Sequence, residues 1–161
     1  MGFKYRRACF GGTFDIPIHR GHEALIKRAF EVAEFCYIGL TTDRYVLRMG
    51  KRDVSSFSDR ERNLVEFLTS KKVQKSRYKI VKLDKFFADE VLDPKTGIEA
   101  IIVSRETLPG ARGINILRED YGLKPLDIVE IGMVLADDKK PVSSTRIREG
   151  EIDKDGNVLE D

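Results

Sequence analysis

Tryptophan is absent from these 161 residues, and cysteine and histidine occur only twice each. Cys9 in "ACF" and Cys36 in "FCYIGL" are too few for a disulfide framework. Inside apolar runs they read as small buried hydrophobes rather than catalytic thiols. An excess of charge is missing too: 29 basic against 27 acidic residues leave a formal +2. That balance does not support bulk attraction to nucleic acid or to an anionic membrane. No stretch reaches the roughly 18 apolar residues of a membrane span. "MGFKYRRACF" lacks the apolar core of a secretion signal, so the expectation is a cytoplasmic protein. Familiar motifs are missing as well. There is no G-x-G-x-x-G dinucleotide fingerprint, no G-x-x-x-x-G-K-[ST] loop and no G-x-S-x-G nucleophile elbow.

What is present suits one domain over residues 1–161, with 41% hydrophobic residues to supply a core. "RRACF" reads as a first strand. Leu25, Ile26, Ala29, Phe30 and Ala33 recur at three and four, predicting a helix from His22 to near Glu34. "FCYIGLTT" is a near-continuous apolar run, as in a buried parallel strand. "SDRERNLVEFLTSKK" predicts a helix capped by Ser58, with Glu61 completing a capping box. "YKIVKL", "IEAIIVS" (Ile98–Ser104) and "LDIVEIGMV" read as further strands. "INILREDYG" reads as a helix stopped by Gly122, and "STRIREGEI" as a short last helix. The segment Asp84–Gly97 carries no readable period, and the tail over 151–161 is expected to fray. Its "DKDGN" is no calcium loop, because Gly156 falls at the wrong position and no closing Glu follows. Strands alternating with helices predict an α/β fold, a doubly wound parallel sheet.

Both histidines fall in one stretch, "GGTFDIPIHRGH", Gly11–His22. It follows the first strand, and parallel sheets bind ligands at the carboxyl ends of their strands. Gly11 and Gly12 allow close backbone approach, and the next helix offers free N–H groups to a phosphate. His19 and His22, three apart, share a helix face and can point at the same anion. A zinc site is a poorer fit, since two imidazoles without nearby Cys or carboxylate partners leave the coordination incomplete.

A second cluster, "PVSSTRIREG" (Pro141–Gly150), puts Ser143, Ser144 and Thr145 at a helix start, ahead of Arg146 and Arg148. Hydroxyls, backbone N–H groups and guanidinium make another phosphate cradle.

G-T-F-D…H-x-G-H near one end and S-S-T-R-I-R near the other resemble the nucleotidyltransferase superfamily of small cytidylyl- and adenylyltransferases and class I tRNA synthetases. With "YIGLTTD", "IIVSRET", "GINILRE", "GLKPLDIVEI" and "SSTRIREGEID", the chain from about residue 5 to 156 is similar to the archaeal phosphopantetheine adenylyltransferases. One departure stands out: three residues (Ile16, Pro17, Ile18) lie between the F-D pair and the first histidine, where relatives have two. The extra residue must bulge out before the helix.

The resemblance implies a Rossmann-like sheet of the nucleotidyltransferase type, with ATP and 4′-phosphopantetheine as substrates and Mg²⁺ accompanying the ATP. It implies catalytic roles for His22 and His19, and ATP contacts from Gly12, Thr13, Phe14, His22, Ser143, Ser144, Thr145 and Arg146. Substrate contacts fall to Thr13, Lys51 and Arg105, with Asn115 and Arg118 as further nucleotide contacts. Residue types alone leave the acceptor open among phosphopantetheine, nicotinamide mononucleotide, flavin mononucleotide and glycerol phosphate. A nucleotide-binding regulatory module without turnover is the reading from another class, supported only by the extra residue.

Overall fold

A computed structural model describes residues 2–159. Five strands form one parallel sheet: β1 (Tyr5–Gly12), β2 (Ala33–Thr41), β3 (Tyr78–Leu83), β4 (Ala100–Val103) and β5 (Asp127–Glu130), ordered β3-β2-β1-β4-β5. The helices are α1 (Arg20–Val32), α2 (Asp43–Arg48), α3 (Phe57–Ser70), α4 (Leu108–Asp120) and α5 (Ser144–Arg148). This is the expected α/β architecture.

Chain order runs outward from β1 to β3, then returns to the other side of β1 with β4. The strand order therefore reverses between β1 and β4, where such sheets open a crevice. Register makes the opening visible. β1 pairs with β2 from Tyr5↔Ala33 to Gly12↔Leu40, but with β4 only at Ala8↔Ala100 and Cys9↔Ile101. Beyond Cys9 the two strands part.

One apolar core joins Phe10, Phe14, Leu25, Ile26, Phe30, Ile38, Leu64 and Leu68 under α1 and α3. A second, with Cys9, Val91, Ile98, Ile101, Ala111, Ile114 and Leu126, lies under α4. The unreadable segment Asp84–Gly97 covers that second core. It folds as two 3-10 turns, Asp89–Leu92 and Pro94–Thr96, ended by Gly97 at φ 67°. Its shape comes from turn chemistry and tertiary cover, neither of which has a period.

Several element ends differ from the sequence expectation. α1 stops at Val32, and Ala33 and Glu34 already belong to β2, because Ala33 pairs with Tyr5. α3 is capped by Ser56, whose hydroxyl accepts the Asp59 N–H at 3.2 Å, not by Ser58. α4 starts at Leu108 with Pro109 in its first turn, where a missing N–H costs nothing, and so takes in residues before Ile114. Helix α2 has too few residues to show a period.

Residues 151–159 do not fray, contrary to expectation. Ile152 is fully buried with Ala136 and Val142 in a third small core. Its neighbours bond back to the body: Asp137 N–H donates to the Gly156 carbonyl at 2.8 Å, and Arg20 N–H to the Lys154 carbonyl at 2.9 Å. The tail's polar letters serve turns: the Asp153 carboxylate accepts the N–H groups of Asp155 and Asn157, each at 2.9 Å.

Candidate active site

The parting of β1 and β4 leaves a cleft of about 670 Å³. Gly11–Asp15 and His22 line one side, and Thr41, Lys51 and Arg52 a second. Ser143–Thr145 and Arg148 close the third, and Leu83, Phe86, Phe87, Ala88, Val91 and Ile114 form an apolar lobe. Thr13, Phe14, His22, Lys51, Ser143, Ser144 and Thr145, expected from the sequence, all reach this space.

The glycines serve the protein's own packing. Gly11 pairs with Gly39, and Leu83 covers both; a Cβ would lie 3.0 Å from Leu83 at Gly11 and 2.7 Å at Gly39. At Gly12 a Cβ would meet the Phe14 ring at 3.3 Å. The chain then turns at Phe14 (φ 47°). Between Asp15 and His19, Ile16 is exposed, while Asp15, Ile18 and His19 are buried.

His19 caps α1, an unusual task for imidazole, since short oxygen side chains usually do it. Its Nδ1 accepts the N–H groups of Gly21 at 3.0 Å and His22 at 3.2 Å. His22 Nδ1 accepts the His19 N–H at 3.3 Å. Both protons therefore sit on Nε2. Burial lowers the His19 pKa to about 4; burial, then His19 and the Lys51 charge, lowers His22 to about 3. His22 faces the cleft as a neutral Nε2–H donor. His19 lies beneath it and outside the lining.

Lys51 reaches across from the loop after α2, its Nζ donating to Thr13 Oγ1 at 3.3 Å. Thr41 Oγ1 donates to the same oxygen at 3.1 Å. Ser143 caps α5 through the Arg146 N–H at 3.2 Å.

Arg146 does not enter the cleft. It is held by the carboxylates of Asp138 and Glu151 and donates to the Pro141 carbonyl at 3.0 Å. Arg148, on the same helix, lines it instead, donating to Asp15 Oδ2 at 2.9 Å and to Thr145 Oγ1 at 3.4 Å. Arg105 is exposed and lies outside the lining. Asn115 exchanges both bonds with the Leu126 backbone, and Arg118 is spent on the Val91 and Lys124 carbonyls. These two hold the α4–β5 turn.

Sequence reasoning missed Asp15, Arg60 and Thr41. Asp15 is buried and accepts from Ser55 N–H, Ile16 N–H and Arg148. Among the described residues no three His, Cys, Asp or Glu gather to hold a metal. Glu90 and Glu106 are the cleft's other carboxylates. This donor set makes no protein cage; it fits a hard cation brought in on a ligand's own phosphate oxygens.

Residues 9–150 match the model of the cytidylyltransferase-like family. A phosphopantetheine adenylyltransferase of Methanothermobacter thermautotrophicus is 43% identical over 159 residues, covering 99% of this chain and 93% of its own length. One from Thermococcus gammatolerans is 40% identical, covering 96% and 95%. Among solved structures, an Archaeoglobus fulgidus protein of unknown function superposes with a TM-score of 0.68 at 28% identity, covering 86% of this chain and 99% of its own.

Proposed function

The chain belongs to the cytidylyltransferase-like family, and on that premise we propose that it moves AMP from ATP to 4′-phosphopantetheine, giving dephospho-coenzyme A and pyrophosphate. The observation that carries this is the meeting of Thr13, His22, Lys51, Ser143–Thr145 and Arg148 around one cleft. Relatives of about 40% identity over nearly the whole chain bear the name of that activity.

A phosphate oxygen of the acceptor attacks the α-phosphorus, and the bond from that phosphorus to the β-phosphate's bridging oxygen breaks. The acceptor's second pKa is near 6, so at neutral pH it is already a nucleophile and needs no general base. The protein's task is to align two repelling anions and to stabilise charge on the α-phosphoryl group and leaving pyrophosphate. Lys51 and Thr13 hold the acceptor phosphate. His22 donates Nε2–H to the α-phosphate as its charge grows. Ser143, Ser144, Thr145 and Arg148 grip the outer phosphates, and His19 holds His22 in place. Mg²⁺, carried by the triphosphate, supplies neutralisation of its outer charge. The reaction is cytoplasmic, and no helix among the described residues is long and apolar enough to cross a membrane.

A pyrophosphate-release screen of ATP against phosphopantetheine, nicotinamide mononucleotide, flavin mononucleotide and glycerol phosphate tests the acceptor. Phosphopantetheine should give the highest kcat/KM. Faster turnover of any other would leave nucleotidyl transfer standing and remove this acceptor.

A further inference from the structure

We propose that Arg60 and Thr41 are positioning residues that, with Lys51, force the Thr13 hydroxyl to offer its hydrogen rather than a lone pair to phosphate in the cleft. The proposal rests on reading the cleft as a phosphate-transfer site. Arg60 lies on α3 with none of its surface exposed. Its Nε donates to the Ser55 carbonyl at 2.8 Å, and its Nη1 to the Thr13 carbonyl at 2.9 Å and to Thr41 Oγ1 at 3.3 Å. Its Nη2 donates to the Thr41 carbonyl at 2.8 Å and to Asp43 at 3.2 Å. One buried fork thus ties together the carboxyl ends of β1 and β2.

The direction of each bond follows from chemistry. Guanidinium and ammonium can only donate, whereas a hydroxyl has one hydrogen and two acceptor sites. Arg60 fills an acceptor site of Thr41 and leaves its hydrogen free, which Thr41 gives to Thr13 Oγ1 at 3.1 Å. Lys51 gives a second hydrogen to the same oxygen at 3.3 Å. Both acceptor sites of Thr13 are then occupied, and its own hydrogen has only the cleft to face. Two donors pulling on that oxygen also make the hydroxyl a stronger donor. Without the relay the hydroxyl could rotate and present lone pairs, which phosphate repels.

A double-mutant cycle between positions 13 and 41 tests the relay. Thr41→Val keeps the shape and removes the hydroxyl, and Arg60 retains the Thr13 carbonyl. It should lower kcat/KM for phosphopantetheine by about five- to tenfold, the worth of one well-placed hydrogen bond. Thr41→Ser should restore it. In a Thr13→Val background, Thr41→Val should cost nothing further. Additive losses would mean that Thr41 merely supports the fold and would overturn the relay. The cycle is read a second time as ATP affinity by calorimetry, which needs no acceptor. Absence of wild-type turnover with phosphopantetheine removes the acceptor assignment; absence of coupling in both readouts removes the relay.

Discussion

The rings of His19 and His22 lie stacked, with centroids 3.5 Å apart and planes 14° from parallel. Each Nδ1 accepts the other residue's backbone N–H. Burial holds both rings neutral, pushing their pKa values to about 4 and about 3, and the His19 neighbour lowers that of His22 further. The pair is a neutral unit: one ring caps the helix, and the other presents Nε2–H to the cleft. The proposed reaction asks no proton transfer of it, because the acceptor phosphate is already an anion.

Stability should record this neutrality. In the unfolded chain both imidazoles titrate near their ordinary 6.5, and in the folded protein near 4 and 3. Between those values the unfolded chain binds more protons, so stability rises with pH and is lost as pH falls from about 6.5. The slope is up to about 1.4 kcal/mol per pH unit for each imidazole. His19→Asn keeps a cap and removes one titrating ring. Urea midpoints from pH 4.5 to 6.5 should therefore rise less steeply with pH in this variant. Parallel curves would contradict the burial of His19.

Activity separates the two rings differently. His22→Ala should lower turnover by about 10²–10³ with ATP affinity within a few-fold, the size of one lost transition-state donor. His19→Asn should cost far less. The pH profile of kcat/KM should show no imidazole limb between pH 5 and 8. It should instead rise through about pH 6, as the acceptor phosphate loses its second proton. A histidine assignment for that limb would survive only if it vanished in His22→Gln, which titrates nothing.

The parallel sheet and the two motif stretches that line one cleft were legible because they rest on local signals: apolar runs, glycines, hydroxyls and paired histidines. Arg60 was not. It sits in "SDRERN" beside Arg62, and only the ends of β1 and β2 distinguish the buried guanidinium from its neighbour, which is 68% exposed. Asp15 was hidden in the same way, since its partners lie 40 and 133 residues away. Arg148 had a signal. It stands three residues after Thr145, on one helix face, whereas Arg146 is turned aside. The tail's packing rests on Ile152, its one buried apolar side chain in a mostly polar stretch, too little for any period to register.

Arg146 and Arg148 should therefore differ in what their loss does to nucleotide binding. Arg146→Ala removes the clamp on Asp138, Glu151 and the Pro141 carbonyl. It should lower Tm and leave ATP affinity within about threefold, since the Arg146 side chain, only 14% exposed, is spent on this clamp and does not line the cleft. Arg148→Ala should weaken ATP by about ten- to a hundredfold, with AMP affected less, as expected for a charged contact to the outer phosphates, and should also lower Tm because the buried Asp15 loses its cation. Calorimetry with both nucleotides, beside melting curves, decides it. A reversed pattern would return Arg146 to the cleft.

The tail offers a test of how far from the chemistry alignment is set. Arg20 opens α1 two residues before His22, and its N–H and guanidinium are bound by the Lys154 and Asp155 carbonyls at 2.9 and 3.1 Å. Those carbonyls are aimed by the turn at Gly156, which has φ 85° and whose added Cβ would stand 3.2 Å from the Ala136 Cα. Gly156→Val meets two penalties: a left-handed backbone that a β-branched residue resists, and a contact with main chain that cannot swing away. Strain of that kind costs about 1–3 kcal/mol. The urea midpoint should fall accordingly. Below the transition, where nearly all molecules are folded, turnover should also fall while ATP affinity holds, because loosening Arg20 shifts the His22 donor relative to the α-phosphate, and small misplacements there are expensive. Gly156→Ala, without the branched carbon, should show the same pattern more weakly. A destabilised Gly156→Val protein with full turnover would mean that α1 keeps its place without the tail, and that residues 151–159 serve only the small core around Ile152.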